Sequence, residues 1–313
     1  MTKKQSISIS KVQLQSPFYK VLYQEYDQLI KAKNLAIKGQ GMYQLNVKEF
    51  FHWLECKGIS RIKRVTSTLM IEYYEYLSTR PNQRKPGTLS ESMINQHLFS
   101  LRMLMDYLVE TGQIESTVLI PQNSPGTKTE RDFLTQREIE LLYYQCLNKR
   151  ERAILSVAYG CGLRRSEINN LNTNDINFST GLLTVRKGKF GKYRDVPMSK
   201  SVMRDLKDYL IYERMNYLKN YNHLELSFFI NNKGKRMDGD HMNEIVKELI
   251  ARTKNNKLMQ KEIGLHSLRH SIAMHLSENG ADIEFIRDFL GHTEIDTSHI
   301  YAKKSKLRNK RLK

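Results

Sequence analysis

Apolar residues recur at helical spacing in four blocks of the first third of the chain. Phe18, Val21, Leu22, Tyr26 and Leu29 form one stripe. Val47, Phe50, Phe51 and Leu54 form a second, with Gly58 placed to end its helix. A third runs through Leu69, Tyr73 and Leu77, and a fourth through Ile94, Leu98, Leu101, Met105 and Leu108. The prolines and glycine of PNQRKPGT separate the last two. Four amphipathic helices of this length predict a small bundle over 17–118, preceded by a tail over 1–16. The stretch STVLIPQNSPGTKTERDF has two prolines, a glycine and little periodicity, which puts a linker at 119–133.

From 134 to 313 the pattern predicts a second, α-rich domain with one β patch. Thr135 and Glu138 have the spacing of a capping box, in which hydroxyl and carboxylate each satisfy the other's backbone amide, and helical patterning fills 136–171. LLTVRKGKFGKYRDVPM then predicts two short strands around a glycine-containing turn. Helices return over about 200–218 and 240–254. Ser267 to Asn279 precedes Gly280, Asp282 to Leu290 precedes Gly291, and a final short helix carries Tyr301. There is no internal repeat. The fold class expected is mainly α with a small hairpin.

Charge narrows the partner. Of 313 residues, 51 are Lys or Arg and 33 Asp or Glu, giving +18 and a pI of 9.6. Such an excess attracts polyanions and releases counterions on binding them, which favours nucleic acid. The tail AKKSKLRNKRLK, with seven basic residues and no acidic one, extends that surface as a DNA-clinging arm or the end of a docking helix. No apolar run reaches the roughly 20 residues of a membrane span, and nothing follows the basic N-terminus as a signal peptide would require. Three scattered cysteines, Cys56, Cys146 and Cys161, suggest no disulfide framework and fit a reducing compartment.

Four segments of the second half carry candidate chemistry. In Gly162-Leu163-Arg164-Arg165-Ser166-Glu167, Arg164 at a helix start is suited to grip a phosphate oxygen, though a surface ion pair with Glu167 is the ordinary reading. Lys189 in Gly188-Lys189-Phe190-Gly191-Lys192 sits at a turn tip, either as a proton donor or as a solvated lysine. In His266-Ser267-Leu268-Arg269-His270, a spacing of three puts His266 and Arg269 on one face. Leu268, Ile272, His275 and Leu276 belong to a core-facing side. A metal pair at His266 and His270 lacks both the glutamate of a zincin and a third ligand at suitable spacing. His270 and His275 read as packed structural histidines. The fourth segment is Leu290-Gly291-His292, followed nine residues later by Tyr301.

Arg164, Lys189, His266 with Arg269, His292 and Tyr301, in this order and spacing, resemble the tyrosine site-specific recombinases (phage integrase family). The likeness covers the catalytic half. The helical half resembles that family's SAM-like core-binding domain in size and position. One departure is local: where the family's hairpin has Gly-Lys-Gly, Phe190 stands in the second glycine's place, so Lys187 and Lys192 compete with Lys189 for the acid role.

The chemistry explains why arginines recur. Attack on a phosphodiester must overcome the phosphate's negative charge, and many nucleases use two metal ions for this. The resemblance instead implies that Arg164 and Arg269 clamp the non-bridging oxygens. It implies that Tyr301 attacks, His266 takes or relays its proton, His292 donates a hydrogen bond to the phosphate, Lys189 protonates the leaving 5′-oxygen, and Glu167 orients the cationic cluster. No metal, nucleotide or other cofactor is implied. Rejoining from a 3′-phosphotyrosine exchanges one phosphoester for another, so ATP is unnecessary. The expected partner is double-stranded DNA with inverted-repeat core sites, bound by a homotetramer on synapsed DNA that is a monomer or weak dimer in solution, in the cytoplasm at the nucleoid. Integration, inversion and chromosome-dimer resolution all fit a chain of this layout, with a lean to a mobile element or inversion. A type IB topoisomerase and a catalytically silent DNA-binding factor are the alternatives.

Overall fold

The computed structural model describes residues 9–33, 37–82, 86–122, 132–186, 193–219 and 225–291. The chain divides into two compact units, Met1–Thr129 and Glu130–Lys313.

The first unit contains the four expected helices: α1 (Pro17–Ala32), α2 (Ile37–Cys56), α3 (Ser67–Thr79) and α4 (Glu91–Glu110). Hydroxyl caps start three of them. Ser16 accepts from the amide of Tyr19, Thr66 from Leu69 and Ser90 from Met93, each satisfying an amide that the helix leaves unpaired. The inward face of α1 differs from expectation. Tyr19, Leu22, Tyr26 and Ile30 are buried, whereas Phe18 and Val21 are 40% and 55% exposed. Two overlapping stripes share Leu22 and Tyr26, and tyrosine wins the inner one because its hydroxyl finds a partner there. Tyr19 donates to the carbonyl of Ile59 at 3.0 Å and Tyr26 to that of Ser100 at 3.1 Å. Tyr19 stacks on Phe51 at 4.8 Å, and Phe50 meets Tyr73 edge-on at 4.9 Å.

The second unit is α-rich with one small sheet. Its helices are α5 (Gln136–Tyr144), α6 (Lys149–Leu155), α7 (Arg165–Asn169), α8 (Lys200–Asp208), α9 (Met215–Leu218), α10 (Gly239–Arg252), α11 (Asn256–Met259), α12 (Leu265–Glu278) and α13 (Ile283–Leu290). The Thr135–Glu138 capping box is present. The helical stretch expected over 136–171 is interrupted at 145–148 and 161–164, and π-helical turns extend α6 through Gly160 and join α8 to α9. Wider π turns inside helices cluster at functional places, and the first of these leads straight to Arg164.

The sheet has three antiparallel strands rather than two, β1 (Ile176–Asn177), β2 (Leu182–Val185) and β3 (Arg194–Pro197), in that order. A strand of two residues is too short to produce an alternation in the sequence. Leu183 pairs with Val196 and Val185 with Arg194. With successive side chains on opposite faces, Leu183, Val185 and Val196 point into the core, and Arg194 shares their face. Among the described residues, no helix is long and apolar enough to cross a membrane.

Candidate active site around Glu167

After the π turn the chain reverses at Gly162, whose φ of +59° favours glycine, and whose added Cβ would lie 2.8 Å from Leu290. This sharp turn places Arg164 immediately before α7 and Glu167 within it. The amide of Arg164 donates to Glu167 Oε2 at 2.8 Å and its Nη1 to Oε1 at 2.7 Å. From β3, Arg194 grips both carboxylate oxygens at 2.9 Å. Arg269 of α12 brings its Nη1 to 3.9 Å from Oε2. One buried carboxylate thus sits among three guanidinium groups. The ion pair of Arg164 with Glu167 exists, but as part of a buried cluster.

The same arginines finish α13. The last carbonyls of a helix have no partner within it. Here Phe289 accepts from Arg194 Nε at 3.2 Å, Leu290 from Arg269 Nη2, and Gly291 from Arg164 Nη2 at 2.8 Å. Arg269 also donates to the carbonyl of Gly162. Cations at a helix C-terminus are favoured by the helix dipole as well. Gly291 ends α13 with a φ of +63°, and a Cβ there would come within 2.8–3.0 Å of the Arg194 side chain. Its glycine therefore serves both the turn and the close approach.

Electrostatics follow from this packing. Burial would push the Glu167 carboxyl up. The bonds and charge of Arg194 outweigh it, followed by the amide and charge of Arg164, and the group is held at about 2. Glu167 is therefore a fixed anion. Three guanidinium charges against one carboxylate leave an excess of two positive charges, with Arg164 partly exposed. Such a cluster is suited to a phosphate diester, whose charge becomes more negative during attack.

Of the residues singled out in the sequence, Arg164 and Arg269 come together here. His266, in the first turn of α12, is exposed, and the start of that helix is tied to α10 by the Leu265 amide donating to Asn243 Oδ1 at 3.1 Å. Lys187, Lys189, Lys192, His292 and Tyr301 lie outside the described residues. His270 and His275 are packed, His270 edge-on to Phe133 at 5.9 Å and His275 bonded through Nδ1 to the Tyr159 hydroxyl at 2.9 Å. Arg194 was missed. Its signal was an arginine in phase with inward Val196 on a strand, a position where a buried charge requires a partner.

The family model described as the phage integrase family matches residues 132–308. The chain belongs to this family. Tyrosine recombinase XerD of Staphylococcus epidermidis is 30% identical over 291 residues, 91% of this chain and 94% of that protein. Tyrosine recombinase XerC of Oceanobacillus iheyensis is 28% identical over 266 residues, 83% of each. The XerH site-specific recombinase bound to a palindromic difH substrate, a post-cleavage complex, shares the fold with a TM-score of 0.70 at 22% identity, covering 93% of this chain and 83% of that one. The Tn1549 transposon integrase in complex with a circular intermediate DNA gives 0.69 at 17%, covering 92% and 99%. This recombinase is therefore an enzyme of site-specific DNA recombination, working by the tyrosine-recombinase mechanism.

Proposed function

We propose that this recombinase breaks a DNA strand with Tyr301 and holds the phosphate between Arg164 and Arg269 while the bond changes hands. The Tyr301 oxygen attacks phosphorus and forms a 3′-phosphotyrosine. The bond from phosphorus to the 5′-oxygen breaks, that oxygen takes a proton from Lys189, and the phenol proton passes to His266. His292 donates a hydrogen bond to the phosphate. A 5′-hydroxyl from a second duplex then reverses the step, so neither ATP nor a metal ion enters the balance. The partner is double-stranded DNA with inverted repeats, in a synapse of four copies of this chain that separate to monomers or weak dimers in solution.

The observation that carries the reading is the convergence of Arg164 and Arg269, 105 positions apart in the chain, on one buried carboxylate with positive charge left over. The carbonyl end of α13 lies against the same arginines, and the next residue along the chain is His292. Tyrosine normally titrates near 10, so an attacking phenolate needs positive charge beside it, and this cluster has positive charge to spare.

The test uses a nicked duplex chosen by its retention on the protein from a random-sequence pool, with the covalent adduct read on a denaturing gel. Wild-type protein is expected to form the adduct in EDTA. Tyr301→Phe is expected to lose it while still retaining the duplex, and an adduct surviving that change would move the nucleophile elsewhere. In the same assay Lys189→Ala should slow cleavage more than Lys192→Ala; the opposite order reassigns the acid.

A further inference from the structure

We infer that Arg194 is a positioning residue for strand cleavage, fixing Arg164 through Glu167 and fixing the chain into His292 through the carbonyl of Phe289. The inference rests on the reading of Arg164 and His292 just given and adds a residue that neither the motif nor the charge pattern contains.

The geometry is specific to this side chain. Arg194 is on the inward face of β3, with its side chain 12% exposed. Nη1 and Nη2 hold the two oxygens of Glu167, and Nε holds Phe289 O. All three nitrogens thus serve protein acceptors, which makes the residue a scaffold rather than a phosphate ligand. Glu167 Oε1 is shared, because Arg164 Nη1 donates to it as well. Any shift of Arg194 therefore moves the carboxylate against which Arg164 is set. The other end of the same guanidinium sets α13 two residues before Gly291, whose carbonyl also holds Arg164. A lysine has a single ammonium and cannot span a carboxylate and a carbonyl in this fork geometry.

Arg194 also opens β3, where it pairs with Val185 at the end of β2, and the stretch of sequence between those two residues contains Lys189. One side chain thus links the first residue of β3, the carboxylate behind the proposed phosphate clamp, and the end of α13. In tightly arranged sites, a displacement of about 1 Å costs on the order of 100-fold in rate.

The experiment compares Arg194→Lys and Arg194→Gln with wild type in single-turnover adduct formation, on the pool-selected nicked duplex. Expected is a loss on the order of 100-fold in cleavage rate with retention of the duplex unchanged. Arg194→Gln should also acquire a new acid-side limb in its rate profile. Glu167 loses the partner that does most to hold its proton off, so it begins to take one up in the working range. Adding Glu167→Gln should remove that limb. A purely structural role would lower rate, duplex retention and melting temperature together, with no new limb, and that result overturns the inference. So does a wild-type rate in both variants. If Arg194→Gln does not fold, Arg194→Lys carries the rate arm alone, since its ammonium keeps the charge but loses the second grip on Glu167: slowed cleavage with duplex retention unchanged supports the inference, and a wild-type rate, or rate and retention lost together, overturns it. The two readings fail differently. A wild-type protein without adduct, or an adduct in Tyr301→Phe, defeats the proposed chemistry. A Tyr301-dependent adduct formed equally well by the Arg194 variants defeats only this inference.

Discussion

Glu49 in the first unit and Glu167 in the second are both buried against arginine, and their carboxyls have opposite fates. Glu49 of α2 is 4% exposed and Glu167 of α7 is 6% exposed. Among the described residues Glu49 has a single arginine: Arg80 donates Nη2 to Oε2 at 2.9 Å and brings Nε to 2.6 Å from Oε1, while Tyr76 donates its hydroxyl to Oε1 at 3.2 Å. His97 Nε2 lies 3.9 Å away. Burial wins at Glu49 and raises its carboxyl, despite Arg80 and the Tyr76 bond. At Glu167 the arginines win, and the group is held at about 2. Two carboxylates with nearly the same exposure thus differ in the number of cations around them. The first is a structural pair brought close to balance. The second is surrounded by more positive charge than it can neutralise, which is an arrangement that stability alone does not require.

The largest effect that could break this contrast is on rate. If the surplus charge at Glu167 exists for a phosphate, Arg164→Ala should reduce covalent adduct formation by about 100- to 1000-fold, the usual consequence of removing one preorganised donor from a developing anion. Arg80→Ala, which strips the arginine from Glu49, should leave the adduct rate per folded molecule unchanged. Equal losses in the two variants, read by single-turnover cleavage, would mean that the surplus charge has no special part in cleavage.

Next comes stability. Removing the charge of a buried carboxylate leaves its cations unpaired, and breaking such a pair costs about 3–5 kcal/mol. Glu167→Gln should therefore lower the melting temperature by roughly 6–12 °C, taking about 3 kcal/mol and the usual scaling for a unit of this size. Glu49→Gln also takes the partner from Arg80, but burial already works against the Glu49 charge and only one arginine is left behind, so its loss should be the smaller of the two. Calorimetry on both variants ranks them, and the reverse ranking would overturn the account of Glu167 as the more heavily compensated anion.

Acid sharpens the comparison further. Glu167 binds its proton less tightly in the folded chain than in the unfolded one. Its contribution is complete above the ordinary value of 4.5 and disappears as pH falls through about 2. In the first unit the sensitive group is His97, 2% exposed and pushed down to about 3 by burial and then by Arg80. The unfolded chain takes up that proton near 6.5, so stability is lost as pH falls from 6.5 towards 3, at up to about 1.4 kcal/mol per pH unit. Glu49 acts in the other sense, because its raised carboxyl takes its proton earlier in the folded chain. Comparing wild type with His97→Leu largely cancels that contribution. Trp53, the single tryptophan, is buried in this unit and reports on it by fluorescence. The denaturant midpoint of wild type should fall between pH 6.5 and 4 more steeply than that of His97→Leu. Parallel slopes would remove His97 from the account.

What the sequence disclosed and what it hid divide along the same line. The four helices of the first unit, the Thr135 cap and the glycine after α13 follow from local rules, and those rules act over a few residues. Arg164 and Arg269 were legible because they sit in short runs with recognisable neighbours. Glu167 was legible as a partner of Arg164, three positions away. The meeting of Arg194 with Glu167, 27 positions distant, and with the carbonyl of Phe289, 95 distant, depends on tertiary packing that periodicity cannot report. The two-residue strand β1 and the tyrosine-lined face of α1 were hidden for a related reason. Their environment, rather than their own pattern, decided them.

The smallest expected effect is the most pointed, because it sets two neighbours in the chain against each other. Arg165 follows Arg164 and carries the same charge, but it is exposed and pairs with Asp240, itself well exposed, on the first turn of α10. Exposed pairs of this kind contribute roughly 0–1 kcal/mol, since water screens them and two mobile side chains must be ordered. Arg165→Ala should therefore shift the melting temperature by no more than about 4 °C, and leave adduct formation near wild type at moderate salt. A long-range field would make the two arginines similar in effect and strongly salt-dependent. A clamp built on Glu167 makes them differ by about two orders of magnitude in rate. Measuring Arg164→Ala and Arg165→Ala side by side across a range of salt decides whether position or mere charge does the work.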